Sequence, residues 1–172
     1  VQFANAPDGT LWVADMSREV IEHPWSLPQN IKRHLDLNRG NDAGRLYRIR
    51  ATDNGLRPSG KLSALSTREL VALLRHPNGW HRDCASRLLV ERQDVSAGSI
   101  LSQMLVEAQE PVARLHALYG LSSLGGLRAR DIEQGLRDES PFVRVHALRL
   151  VESLDSELGG GIERLLSDRA KD

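Results

Sequence analysis

The feature that most constrains this chain is a short pattern that returns three times. Arg82-Asp-Cys-Ala85, Arg114-Leu-His-Ala117 and Arg144-Val-His-Ala147 align without gaps, and their arginines are 32 and 30 residues apart. A proline precedes each copy (Pro77, Pro111 and Pro141). Proline opens a helix at low cost, because the amides of a first turn have no intrahelical acceptor. Ahead of each copy runs another amphipathic stretch: "STRELVALLRH", "SAGSILSQMLVEA" and "RARDIEQGLRD". The first begins with a capping-box signature, Ser66 followed three residues later by Glu69. The repeating unit is therefore helix, turn, helix. One such pair cannot cover both of its apolar faces, so the pairs are expected to stack, with Ala85, Ala117 and Ala147 allowing close approach. "GGGIERLLSD" would open a fourth unit.

Residues 1–50 have another texture. "VQFANAPDGTLWVAD" places a Pro-Asp-Gly turn between two short runs of alternating polarity, a hairpin signal. In it Leu11 and Val13 point to one face, Trp12 and Ala14 to the other. "GRLYRIR" is a further strand candidate, and a short helix is expected near Pro28–Leu37, with Ile31, His34 and Leu35 on one face. "ATDNGLRPSGK", residues 51–61, reads as a linker. The expected fold is mainly α: a solenoid of about three helix pairs over residues 62–172, preceded by a small β unit.

Lysine plus arginine equals aspartate plus glutamate, 23 of each among 172 residues. No net field draws nucleic acid or an anionic membrane, and neither partner is expected. No apolar run approaches the roughly 18–20 residues of a membrane-spanning helix. Cys84 is the single cysteine, which excludes an internal disulfide and a Cys-x-x-Cys-His haem attachment. The chain opens at "VQFANAP" without a methionine and reads as a segment of something longer.

The candidate functional residues concentrate in the polar stretch between the strands. Asp15, Arg18, Glu19, His23, Trp25, His34, Asp36, Asn38 and Asp42 could supply acid–base groups, a stacking surface or oxygen ligands for calcium. The favoured reading is a docking segment in which Trp25 and Val20-Ile21 pack the β unit onto the first helices and the polar groups satisfy turns. Trp80 and His81 mark a turn that caps the first helical layer. His116 and His146 share a repeat column with Cys84, and helix spacings of about 8–10 Å keep neighbouring layers from sharing one metal ion. Cys84 beside His81 lacks an oxyanion donor or orienting partner, so no catalytic residue and no metal ligand is expected. Arg82, Arg114 and Arg144 are read as pairing within the stack, against acids such as Asp138.

"RDESPFVRVHALRLV" resembles a HEAT repeat, through Asp138, Pro141, Val143, Arg144, Ala147 and Leu148. That resemblance implies a hydrogen-bonded ladder of Asp and Arg along the stack, although Ala108 stands where the second unit would carry the acid. "PDGTLWVAD" and "GRLYRI" resemble strands of the last blade of a glucose/sorbosone dehydrogenase-type β-propeller. Taken with "ELVALLRHPNGWHRDCASRLLVERQD", they are similar to the large membrane-bound dehydrogenase-type proteins of Planctomycetes and related bacteria. The resemblance implies a propeller-blade remnant over residues 1–50 and HEAT-like repeats over 62–172. It implies a cell-envelope or periplasmic setting, and a parent using pyrroloquinoline quinone, calcium and haem c. No cofactor is expected in this stretch itself. Its expected partners are another protein, neighbouring domains, or a second copy through an open sheet edge.

Overall fold

The structure is a computed structural model that describes residues 2–20, 23–52, 55 and 59–158. Ile21, much of the linker and the "GGGIERLLSD" stretch lie outside the described residues. The chain forms two compact units, Val1–Ser59 and Gly60–Asp172. It is mainly helical, with a small antiparallel sheet.

The first unit holds β1 (Gln2–Asn5), β2 (Leu11–Asp15) and β3 (Arg45–Ile49), ordered β1-β2-β3 and antiparallel throughout. The Pro-Asp-Gly turn closes as its composition dictates. Gly9 takes the left-handed φ of +84°, while the Asp8 carboxylate accepts from the Thr10 amide (3.0 Å) and hydroxyl (2.7 Å). The Asp8 carboxyl lies below the usual carboxylate range, chiefly because the Thr10 hydroxyl donates to it and also because of the Arg48 guanidinium. Arg48 pairs with Asp8 across the sheet and lies 5.9 Å from the Trp12 ring centroid.

The expected helix near Pro28–Leu37 is shorter: α1 spans Gln29–Lys32, with Pro28 as its N-cap. Beyond it the chain runs on in tight turns, His34 N–H donating to the Ile31 carbonyl and Leu35 N–H to Lys32. Ile31 is 44% exposed, so the Ile31–His34–Leu35 stripe is not a buried face that would sustain further turns.

In the second unit α2 (Thr67–Leu73), α3 (Gly79–Arg92), α4 (Ala97–Glu107), α5 (Pro111–Ser123), α6 (Ala129–Leu136) and α7 (Pro141–Leu158) follow one another. Pro111 opens α5 as the spacing predicts. Pro77 does not open α3; the helix starts two residues later, where the Asn78 side chain accepts the Trp80 amide at 3.0 Å. Consecutive helices pack as pairs, α2 on α3, α4 on α5 and α6 on α7. The first members touch in sequence (α2 with α4, α4 with α6), and so do the second members (α3 with α5, α5 with α7). Leu70, Leu74, Leu89, Leu101, Leu105, Leu118 and Ile132 form a continuous core, and Ala85, Ala117 and Ala147 have no exposed surface. Small residues set the approach elsewhere too. A Cβ on Gly135 would lie 2.9 Å from that of Ala147 and 3.1 Å from Leu118 Cδ1.

The first helical turn depends on a reciprocal cap. Ser66 Oγ accepts the Glu69 amide (3.3 Å), and the Glu69 carboxylate accepts the Ser66 amide (2.7 Å). Ser66→Ala is expected to cost about 1 kcal/mol, seen as a lower urea midpoint with an unchanged m-value, whereas Ser66→Thr retains most of the wild-type midpoint.

Candidate interaction surfaces

The three column arginines perform one common task. In each, Nη1 donates to the carbonyls six and five residues earlier, in the turn that joins the two helices of its own pair. Arg82 reaches His76 (2.6 Å) and Pro77 (2.9 Å), and Arg114 reaches Ala108 and Gln109 (2.8 Å each). Arg144 reaches Asp138 (2.8 Å) and Glu139 (2.9 Å). These carbonyls terminate a helix and have no intrahelical donor, so the guanidinium replaces water as their partner.

Arg114 also crosses to the next pair. Its Nε donates to Asp138 Oδ2 (2.6 Å) and its Nη2 to Asp138 Oδ1 (2.8 Å), a bidentate pair of nearly buried side chains. A further bond from Nη2 reaches Glu139 (3.2 Å). Burial pushes the Asp138 carboxyl up, but hydrogen bonds from Arg114 and the Ser140 amide, with the charges of Arg114 and Arg144, hold it below its usual range. Arg114 is correspondingly raised, first by its hydrogen bond to Asp138. Arg82 has no equivalent rung. Ala108 occupies the corresponding place, and the buried Arg82 Nε has no hydrogen-bond partner.

Two further ties between layers gave no signal in the sequence. The Thr67 hydroxyl donates to Asp94, and the Ser102 hydroxyl donates to the buried Asp131 (3.1 Å). Tyr119 and His146 meet at 2.8 Å between the Tyr119 hydroxyl and Nδ1. Cys84, His116 and His146 are all half-buried. Burial lowers the pKa of His116, and the Arg82 charge adds to the effect. His81 is buried, with its ring 4.2 Å from His76 and edge-on to Trp80 at 5.0 Å. Among the described residues, no group of three or more His, Cys, Asp or Glu is placed to hold a metal ion.

The connector residues are not gathered into one cluster. Asp15 is half-buried at the end of β2, and Arg18, His34 and Asp42 are exposed. Asp36 Oδ1 accepts the Asn38 amide (3.0 Å), the local turn that an Asx residue makes. His23 Nδ1 accepts the Trp25 amide (3.2 Å), and within the first unit the Trp25 side chain is exposed. The base of the connector is closed: the Glu19 amide donates to the Arg39 carbonyl (3.2 Å), and their side chains lie 3.7 Å apart. Gly40, at φ +84°, brings its backbone so close to the Ser17 carbonyl that a Cβ would collide with it.

The sheet offers the more continuous apolar surface. The register sets Phe3, Val13 and Tyr47 in one row and Leu11 beside Ile49 on the same face. Phe3, Tyr47 and Ile49 are 65%, 51% and 56% exposed. Trp12 and Leu46 lie on the opposite face, 40% and 71% exposed. Leu46 and Tyr47 are adjacent in β3 and so point to opposite faces, which makes the strand apolar on both sides. In the helical unit, a cleft of about 380 Å³ lies between the start of α4 and the α5–α6 turn, flanked by Arg128 and Arg130. Ser99 and Ser102 in its wall already donate to Ser96 and Asp131.

Residues 1–53 match a family described as a domain of unknown function (DUF7133). The match takes in all three strands and the connector between them, and covers less than half of the chain. No curated protein matches this chain, and no solved structure does.

Replacing Asp138 by Ala takes the bidentate carboxylate from a buried guanidinium, leaving it only the more distant and exposed Glu139, and is expected to cost roughly 3–5 kcal/mol, read as a large fall in the urea midpoint. The pH dependence has a definite sign. Because the folded pKa is depressed, the contribution of Asp138 is complete above the usual carboxylate value near 3.9 and is lost as pH falls through the folded value. Asp138→Asn should therefore flatten the acid limb of a midpoint-against-pH curve. Conversely, Ala108→Asp supplies the missing rung to Arg82 Nε and should raise the midpoint; a lower midpoint would mean that Arg82 is not aimed at residue 108.

Proposed function

We propose that this chain is a non-catalytic interaction module: a HEAT-like solenoid of about three helix pairs joined to a small sheet, through which a larger protein makes contacts between its domains or with another protein. The observation that carries this reading is the sheet, whose two faces both bear uncovered apolar side chains. Exposed apolar area of this kind marks a contact surface. The partner it fits is another sheet on each face, since Phe3, Tyr47 and Ile49 on one side and Trp12 and Leu46 on the other provide flat, branched or aromatic packing. The stacking order of the helices, first member on first and second on second, supports the solenoid reading. The recurring Arg clamp and the Arg114–Asp138 rung support its HEAT-like character. Trp25, held outward by His23, offers an aromatic anchor of the type that dominates binding energies.

The same sheet favours a second reading, in which the chain is part of a quinone-dependent sugar or alcohol dehydrogenase of the cell envelope. A propeller blade is apolar on both sides because a neighbouring blade covers each. On that reading pyrroloquinoline quinone, calcium and haem c would be held elsewhere in the parent, and residues 17–42 would serve as a joint between its domains.

Sedimentation of the purified chain over a wide concentration range, together with binding of an apolar dye, tests the interaction reading. Association through the sheet or its β1 and β3 edges is expected, and Leu46→Lys with Tyr47→Lys should weaken it and reduce dye binding while helical circular dichroism stays unchanged. A chain that remains monomeric at high concentration and binds no dye sinks the contact surface. Stoichiometric binding of quinone with calcium by this chain, or turnover of a sugar, overturns the non-catalytic assignment.

A further inference from the structure

The turn between α4 and α5 lacks a group that the turn between α6 and α7 supplies. Arg144 Nη1 takes the Asp138 and Glu139 carbonyls, and Arg114 Nη1 takes those of Ala108 and Gln109 in the same way, so Ala108 stands where Asp138 stands. The later turn offers two acids to the arginine of the preceding pair. Asp138 lies 2.6 and 2.8 Å from Arg114, and Glu139 lies 3.2 Å from it. In the earlier turn the same two positions are Ala108 and Gln109, and neither carries a charge for Arg82. Glu110, the next residue, pairs with Arg75 instead (3.4 Å). Among the described residues the buried Arg82 Nε has no hydrogen-bond partner, and an unmet donor of this kind is costly to keep.

The Asp138 carboxylate shows what such a place holds. Besides the Arg114 fork it accepts the Ser140 amide (2.8 Å), two residues along the chain. The Glu110 amide follows Ala108 at the same interval, at the N-cap of α5. Arg82 Nη1 is committed to the His76 and Pro77 carbonyls, so Nε and Nη2 form the edge that Arg114 turns to its acid. Ala108 also lies in the wall of a cleft of about 270 Å³ between α2 and α4, beside the apolar Ile100 and Met104. Arg68 and Arg75 line that cleft against one acid, Glu107. The approach to Ala108 is therefore open and biased towards an anion.

We propose that Arg82 is a binding site for a carboxylate brought by another molecule. The carboxylate takes the place beside Arg82 that Asp138 fills beside Arg114, with one oxygen on Nε and the other on Nη2, the bidentate geometry that a guanidinium edge favours. An acidic side chain of a partner protein and a small carboxylic acid present the same group. The site belongs to the helical unit alone and does not depend on the sheet contact proposed above.

The test follows the Nε–H resonances of Arg82 and Arg114 in the isotope-labelled full chain at neutral pH. Sodium acetate is titrated in against sodium chloride at constant ionic strength, so that general screening does not change. The Arg82 signal is expected to shift along a saturating curve, while that of Arg114, which already holds its acid, stays in place. Ala108→Asp supplies the carboxylate from within the chain and should abolish the Arg82 response, with helical circular dichroism and the Arg114 signal retained. A blocked aspartate, acetyl-Asp-amide, separates the two sources. Saturation by this peptide fits an acidic side chain, and saturation by acetate alone fits a small carboxylic acid. An Arg82 signal that neither probe moves, or that moves without saturating, overturns the proposal and leaves water as the partner of Nε. So does a shift that Arg114 shares or that persists undiminished in Ala108→Asp.

Discussion

The helical unit depends on one buried cation. Arg114 is 6% exposed, and an arginine so placed is tolerated only when every donor is satisfied. It has five N–H donors, and each has a partner: two turn carbonyls, two oxygens of Asp138, and Glu139. Only a planar, rigid fork can serve that arrangement, and lysine could not. The guanidinium thereby ties the turn between α4 and α5 to the turn between α6 and α7. Leucines fill the layers, but burial of apolar area is non-directional and sets no register. The Arg114–Asp138 pair is directional, and it fixes which turn lies beside which.

The other two arginines show what the arrangement needs. Each makes the same pair of bonds to its own turn, so the clamp within a pair is common to all three units. The rung between pairs is present only where the next turn supplies a carboxylate. Ala108 interrupts it after the first pair, so the first and second layers rely on apolar packing, on the hydrogen bond from the Thr67 hydroxyl to Asp94 ahead of α4, and on the exposed Arg75–Glu110 pair (3.4 Å).

Much of the architecture was legible because it follows from spacing. The arginines of the repeat, the prolines ahead of them and the alanine column marked the second helix of each pair, and Ser66 with Glu69 marked the first turn. Pro77 misled by two residues because "NG" follows it, and Asn78 is the stronger cap. The helix expected near Pro28–Leu37 shrank because a four-residue apolar period gives no lasting helix without a face to bury. Contacts such as Tyr119 with His146 join residues 27 apart through side-chain packing, and no local pattern encodes them. The candidate site residues were chosen for chemical type, and type does not report neighbours. His23 and Asp36 stabilise their own turns, and the two faces of the hairpin follow from its alternation, whereas the row Phe3–Val13–Tyr47 across three strands follows only from their register.

The closed base of the connector separates two problems that a long loop usually joins. Gly40 lies against Ser17 and Glu19 is tied to Arg39, so β2 and β3 meet with their ends already held near each other. The residues between them hang from a fixed ring, and the entropy of closing that ring grows only slowly with its length, by about 0.6 kcal/mol for each doubling. Composition and length inside the ring are therefore free to change while the strand register stays put, and the sheet can carry different outward-facing loops on an unchanged frame.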